Sequence, residues 1–127
     1  MLYNGGCHCG KVQFSIEAPE YVEVEDCNCS ICEKTGFLHL ILPRSKFKLL
    51  SGEQYLSCYQ FNEKIAKHYF CSVCGIKAFY IPRSNPDGID VNLRCLEQKP
   101  KSVHINKFDG RNWEANAATL AHKSKDA

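Results

Sequence analysis

Apolar and polar residues alternate with a period of two through most of this chain. In "KVQFSIE", Val12, Phe14 and Ile16 alternate against Lys11, Gln13, Ser15 and Glu17, the pattern of a half-buried strand. "YVEVE" repeats it with Val22 and Val24. "GFLHLILP" is a short apolar run stopped at Pro43, and predicts a buried strand rather than a helix. "EQYLSCYQF" puts Tyr55, Tyr59 and Phe61 on one face, and "KAFYIP" is a further short apolar segment before a proline. "GIDVNLRCL" alternates Ile89, Val91, Leu93 and Cys95 with Asp90, Asn92 and Arg94, and "SVHINKF" predicts a last strand. Turn residues in "LSGEQ", "PRSNPDGID" and "FDGRNW" separate these segments. No segment carries a long 3.6-residue period, so the expected fold is mainly β, with a short helix after "CSICEKTG". Residues 116–127, "NAATLAHKSKDA" with the asparagine first, read as a polar, partly frayed tail.

A chain of 127 residues suits one domain, expected here over residues 1–115. A hydrophobic fraction of 44% supplies a core, and 24% charged residues excludes wholesale disorder. The net charge is +2, and the Lys and Arg residues are scattered rather than striped, which argues against a nucleic-acid surface. "MLYNGGCHCGK" has no basic region followed by an apolar one, so no secretory signal is expected. The longest apolar run is too short to span a bilayer. These features predict an intracellular, cytoplasmic protein with no membrane partner.

Nine cysteines change the picture. An odd number excludes complete internal pairing, and a reducing compartment disfavours disulfides in any case. Spacing points to metal. Cys71 and Cys74 form C-x-x-C followed by Gly75, the turn of a zinc knuckle. Cys7 and Cys9 form C-x-C flanked by Gly5, Gly6 and Gly10. Alternate residues of a regular strand lie about 6.5–7 Å apart, so the glycines must bend the chain to bring the two sulfurs onto one metal. Joined through one ion, Cys7, Cys9, Cys71 and Cys74 make a closed site with no open position, which staples the start of the chain to its middle.

Cys27, Cys29 and Cys32 lie in "EDCNCSICEK", where C-x-C and C-x-x-C share the middle residue. One tight loop then offers three thiolates to one metal. Three protein ligands and an open position is how catalytic zinc is held, and a small-molecule thiol fits the vacancy as its thiolate. Two other readings stay open: a closed site completed by a remote ligand such as Cys58, Cys95 or a histidine, and three thiols without metal. Cys95 reads as a core residue, and His8 and His68 as surface or packing residues. Asp90, Asn92 and Arg94 would share one face, either solvated or lining a pocket.

Taken together, "GGCHCGKVQF", "CNCSICEKTG", "YFCSVCGIKAFYIPRSNPDG", "VNLRCL" and "FDGRNW" resemble the glutathione-dependent formaldehyde-activating enzyme and centromere protein V family. The resemblance runs from residue 3 to about 115, and "KHYFCSVCGIKAFYIPRSNP" is closer to the centromere protein V branch. It implies an Mss4-like fold of small antiparallel sheets with zinc knuckles and few short helices. It implies a structural zinc on Cys7, Cys9, Cys71 and Cys74, and a second zinc on Cys27, Cys29 and Cys32 near bound glutathione. The implied activity is that of a carbon–sulfur lyase interconverting formaldehyde and glutathione with S-(hydroxymethyl)glutathione. The alternative is a non-catalytic zinc-binding or interaction protein like centromere protein V, although no long N-terminal extension of that protein's kind precedes the domain here.

Overall fold

The computed structural model describes residues 1–61 and 64–125. In chain order the strands are β1 (Leu2–Gly6), β2 (Gln13–Glu17), β3 (Tyr21–Cys27), β4 (Leu38–Pro43), β5 (Phe47–Ser51), β6 (Leu56–Tyr59), β7 (His68–Cys71), β8 (Phe79–Tyr80), β9 (Gly88–Asn92) and β10 (Ser102–Phe108). Two short helices, α1 (Ser30–Thr35) and α2 (Trp113–Asn116), and several 3-10 turns complete them. The chain is mainly β, as its period-two pattern predicts. The helix expected after "CSICEKTG" begins inside that motif, because Cys29 caps it and Gly36 (φ 67) ends it within six residues. "GIDVNLRCL" is shorter as a strand than its alternation predicts. It turns into 3-10 helix at Leu93–Cys95, where the Asn92 side chain accepts the Arg94 backbone N–H.

The strands form three sheets in the orders β1-β2-β5, β10-β3-β4-β9-β8 and β6-β7. All their pairings are antiparallel except β10 on β3, which is parallel and sets Phe108 beside Cys27. The five-stranded sheet has two unlike faces. Val22, Val24, Leu38, Leu40, Leu42, Ile89 and Val91 point to the first and join Tyr3, Phe14 and Ile16 of the neighbouring sheet in the main core. Phe14 is completely buried there, with Phe47 stacked at 5.5 Å and Phe79 edge-on at 6.0 Å.

The second face carries Glu25, His39, Asp90 and Tyr80, because strand neighbours alternate sides. It is buried too: every residue of β9 is buried. Part of its cover comes from residues 117–124. Within residues 116–127, read from the sequence as a frayed polar tail, residues 117–124 are packed rather than frayed, and residues 126 and 127 lie outside the described residues. Ala117–Ser124 forms 3-10 turns against β4 and buries Ala117, Leu120 and Ser124. Asn85, itself 1% exposed, donates to the Leu120 carbonyl (2.9 Å) and to Ser124 Oγ (2.9 Å). Lys123 pairs with the buried Glu25. Leu120 is the one large apolar residue of this segment, so its anchoring by polar contacts was invisible as a hydrophobic pattern. Among the described residues no helix is long and apolar enough to cross a membrane.

Candidate functional site

Cys7, Cys9, Cys71 and Cys74 converge although more than sixty residues separate the two pairs. Their sulfurs all lie within 4.8 Å of one another. The C-x-C is a turn rather than a strand: Gly10 N–H donates to the Cys7 carbonyl (3.3 Å), and this brings the Cys7 and Cys9 sulfurs to 3.6 Å. Cys9 and Cys71 sulfurs are 3.7 Å apart. On the other side, Gly75 (φ 79) takes the left-handed conformation that closes the Cys71–Cys74 knuckle. A tetrahedral ion with Zn–S bonds of about 2.3 Å needs sulfurs about 3.8 Å apart, so this arrangement fits zinc. The Cys74 backbone N–H helps hold the Cys71 thiol below its usual range, which readies it as a ligand.

Cys27, Cys29 and Cys32 form the second group, also within 4.8 Å. Cys27 ends β3, Cys29 caps α1 and Cys32 lies buried in its first turn. Backbone N–H groups point at the sulfurs, from Cys29 to Cys27 and from Cys32 to Cys29, each at 3.5 Å. Contact with Cys27 and then Cys32 pulls the Cys29 thiol far down, while contact with Cys29 pushes Cys27 up and contacts with Cys27 and Cys29 push Cys32 up. The cluster alone thus favours a single thiolate, and a dication is what allows all three to ionise. Both groups could hold a metal ion, and soft thiolate donors suit zinc. Among the described residues no fourth His, Cys, Asp or Glu joins this trio. Cys58, on β6, is exposed, and Cys95 packs against the main core. His8 is exposed, while His68 is buried.

A clasp from the far end of the domain holds the trio. Asn28, between the first two cysteines, donates to Asp109 Oδ1 (3.1 Å) and accepts from Arg111 N–H (3.1 Å) and, at its carbonyl, from Arg111 Nε (2.9 Å). Arg111 also pairs with Glu33 at 2.7 Å. This contact brings Gly110 against the cysteines so closely that a Cβ there would lie 2.4 Å from Cys27 Sγ and 3.0 Å from Cys29 Cβ. Gly110→Ala is therefore expected to weaken metal binding at the trio by at least about tenfold, comparable to losing an outer support of a metal site. Competition with a chromophoric chelator would read this as one weak and one unchanged metal equivalent.

The trio opens on a cavity of about 370 Å³, within the range of small-molecule sites. Apolar walls come from Phe61, Ile65 and Trp113, and cations from Lys64, Arg83 and Arg111. Its floor is the second face of the five-stranded sheet: Glu25, His39, Tyr80 and Asp90. His39 Nδ1 lies 2.6 Å from Asp90 Oδ2 and 3.3 Å from the Tyr80 hydroxyl. Burial holds the Tyr80 phenol well above its usual range, so it stays protonated. His68 also lines the cavity, stacked on Tyr80 at 4.8 Å, with Lys77 Nζ 2.7 Å from its Nδ1. Burial, then the nearby Lys77 charge, lowers His68 to about 4.

Sequence reasoning placed the cysteines and left this floor unassigned. Of the Asp90, Asn92 and Arg94 set, Asp90 lines the cavity, Asn92 is buried and Arg94 is exposed. The available signal was a polar residue inside each buried strand: Glu25 in "VEVEDC", His39 in "FLHLIL" and Asp90 in "GIDVN". Gly110 was read only as a turn residue.

The chain is similar to known proteins over most of its length. The description "Glutathione-dependent formaldehyde-activating enzyme" matches residues 2–108. The chain belongs to the glutathione-dependent formaldehyde-activating enzyme family. A Halomonas elongata protein bearing the same family name is 32% identical over 125 residues, covering 89% of this chain and 80% of its own length. A crystal structure of a Rhodobacter sphaeroides protein superposes with a TM-score of 0.71 at 33% identity, covering 81% of this chain and 99% of the other. Both cysteine groups lie within the family's matched span.

Proposed function

We propose that this family member is a carbon–sulfur lyase that adds the thiol of glutathione to formaldehyde or a related small aldehyde, giving S-(hydroxymethyl)glutathione. The observation that carries the reading is the three-sulfur group, without a fourth side-chain ligand among the described residues, on the wall of a cavity sized for a small molecule. Cys7, Cys9, Cys71 and Cys74 are assigned a structural zinc, and Cys27, Cys29 and Cys32 the reactive one. Zinc held by the trio would favour the thiolate form of a substrate thiol, which is the nucleophile. The side chains supply the rest. Lys64, Arg83 and Arg111 at the rim match the two carboxylates of the tripeptide. Phe61, Ile65 and Trp113 exclude water from the reacting atoms. Holding thiol and aldehyde together supplies much of the modest acceleration that an already easy addition needs. A cytoplasmic setting, reducing and rich in glutathione, suits free cysteines in this number.

Exchange spectroscopy by NMR on glutathione and formaldehyde tests the activity. Zinc-loaded protein should speed exchange between free and hydroxymethylated glutathione, and exchange at the protein-free rate would refute it. The second reading, a zinc-binding protein without turnover, draws on the centromere protein V likeness of residues 67–86. It predicts two zinc ions retained and no thiol binding.

A further inference from the structure

Among the described residues, Glu25 Oε2, His39 Nε2, His68 Nε2 and Asp90 Oδ1 are buried without a hydrogen-bond partner, and each belongs to a residue lining this cavity. Buried polar atoms are almost always satisfied, so such a concentration marks where a ligand's polar atoms belong. The two imidazoles are the informative pair, because each has its other nitrogen engaged by a group of known polarity.

A carboxylate only accepts hydrogen bonds. Asp90 Oδ2, at 2.6 Å, therefore requires a proton on His39 Nδ1, and in the neutral imidazole that a general base must be, His39 Nε2 keeps its lone pair. An ammonium only donates. Lys77 Nζ, at 2.7 Å, therefore requires a bare His68 Nδ1, which leaves the proton on His68 Nε2. Burial lowers the Lys77 amine, and the Tyr80 ring at 3.8 Å and the Phe37 ring at 5.2 Å counter this by favouring its cationic form. Both imidazoles flank Tyr80, His68 at 4.8 Å and His39 at 5.8 Å between ring centroids. We propose that the cavity carries a fixed acceptor, His39 Nε2, and a fixed donor, His68 Nε2–H, and that these act as general base and oxyanion donor in the thiol addition.

This inference rests on the thiol-addition reading and assigns its proton traffic. The thiol S–H proton passes to His39 Nε2, and Asp90 stabilises the imidazolium formed. Sulfur bonds to the carbonyl carbon, and the C=O π pair moves onto oxygen. His68 Nε2–H donates a hydrogen bond to that oxygen as its charge develops. The proton on His39 then moves to the oxygen, directly or through water, which gives the hydroxymethyl thioether and restores neutral His39. Nothing is oxidised or reduced, and the reverse sequence releases aldehyde. Asp90 and Lys77 are positioning residues. Among the described residues, the charged and titratable groups around His39 include Asp90 from β9, Tyr80 from β8, His68 from β7, Glu25 from β3 with its Lys123 partner, and the trio that lines the same cavity.

The test reads the tautomers first. Long-range nitrogen–proton NMR on the zinc-loaded protein, without substrate, should show His39 protonated at Nδ1 and His68 at Nε2. The opposite tautomer at either residue overturns the proposal whether or not the protein turns over glutathione. The second arm uses the exchange assay. His39→Gln should lose about 100-fold, the usual scale for a general base. Asp90→Asn should lose at least about tenfold and move the acidic limb of the pH profile to lower pH, since the imidazolium loses its counter-charge. Both variants should keep wild-type zinc content. Wild-type exchange rates and pH profile in Asp90→Asn overturn the assignment while leaving the thiol-addition reading intact. If the wild-type protein gives no acceleration, that reading fails, and with it the catalytic roles.

Discussion

Cys71→Ser is expected to unfold the protein. Cys71 is 1% exposed, ends β7, and is the sulfur through which the β6-β7 pair reaches Cys9 beside β1. A two-stranded sheet has little stability of its own. A structural zinc contributes on the order of 10–16 kcal/mol in small zinc domains, as much as the whole net stability of a typical domain at about 5–15 kcal/mol. Serine keeps the shape but is a far poorer zinc ligand than a thiolate. Circular dichroism should show no cooperative thermal transition for the variant, and a strong chelator should do the same to the wild type. Cys58→Ser, at an exposed cysteine outside both groups, is the control and should melt as the wild type does. A Cys71→Ser protein with a wild-type transition would remove the structural zinc from this account.

Cys29→Ala should have the opposite profile, with the fold retained and the reactive centre lost. Cys29 is the middle donor of the trio, and both other cysteines lower its thiol. The loop around it has independent supports: the Asn28 contacts to Asp109 and Arg111, and the Gly36 N–H on the Cys32 carbonyl at 3.0 Å. With two sulfurs left, the trio should release its ion while the four-cysteine group keeps its own. Elemental analysis should then show half the wild-type zinc, with a midpoint of melting shifted by only a few degrees. Thiol exchange should fall to the protein-free rate. Full zinc content would show that the ion is held from elsewhere, and full activity would show that the chemistry does not use the trio.

The contrast between these variants follows what could be read along the chain. Cysteine spacing is local, so the knuckle at Cys71 and Cys74 and the loop from Cys27 to Cys32 are visible as short motifs. Period-two runs located β2 and β3, the apolar run "GFLHLILP" located β4 and "SVHINKF" located β10, each to within a few residues. Pairing is non-local, and nothing in "SVHINKF" says that it runs parallel to "YVEVEDC". The cavity floor was hidden for a related reason. Alternation normally separates core from solvent, so a polar residue in a strand reads as exposed. Here the second face of the sheet is covered by residues 117–124, and Asp90 is 1% exposed. That cover rests on Asn85, Glu25 and Lys123, whose contacts span up to ninety-eight residues.

The place of Gly110 and Arg111, just beyond β10, also sets an order of synthesis. A chain emerging from a ribosome has all four cysteines of the first group available once residue 74 is out, and the strands β1 to β5 precede that point. The trio is already exposed by then, but Gly110 and Arg111, which clasp it, are still to be made. Through that interval Cys27, Cys29 and Cys32 lack the contacts that Gly110 and Arg111 make with them. Gly110 and Arg111 then close over the loop, so a chain cut short of them is expected to hold metal at the trio more weakly than the full chain does.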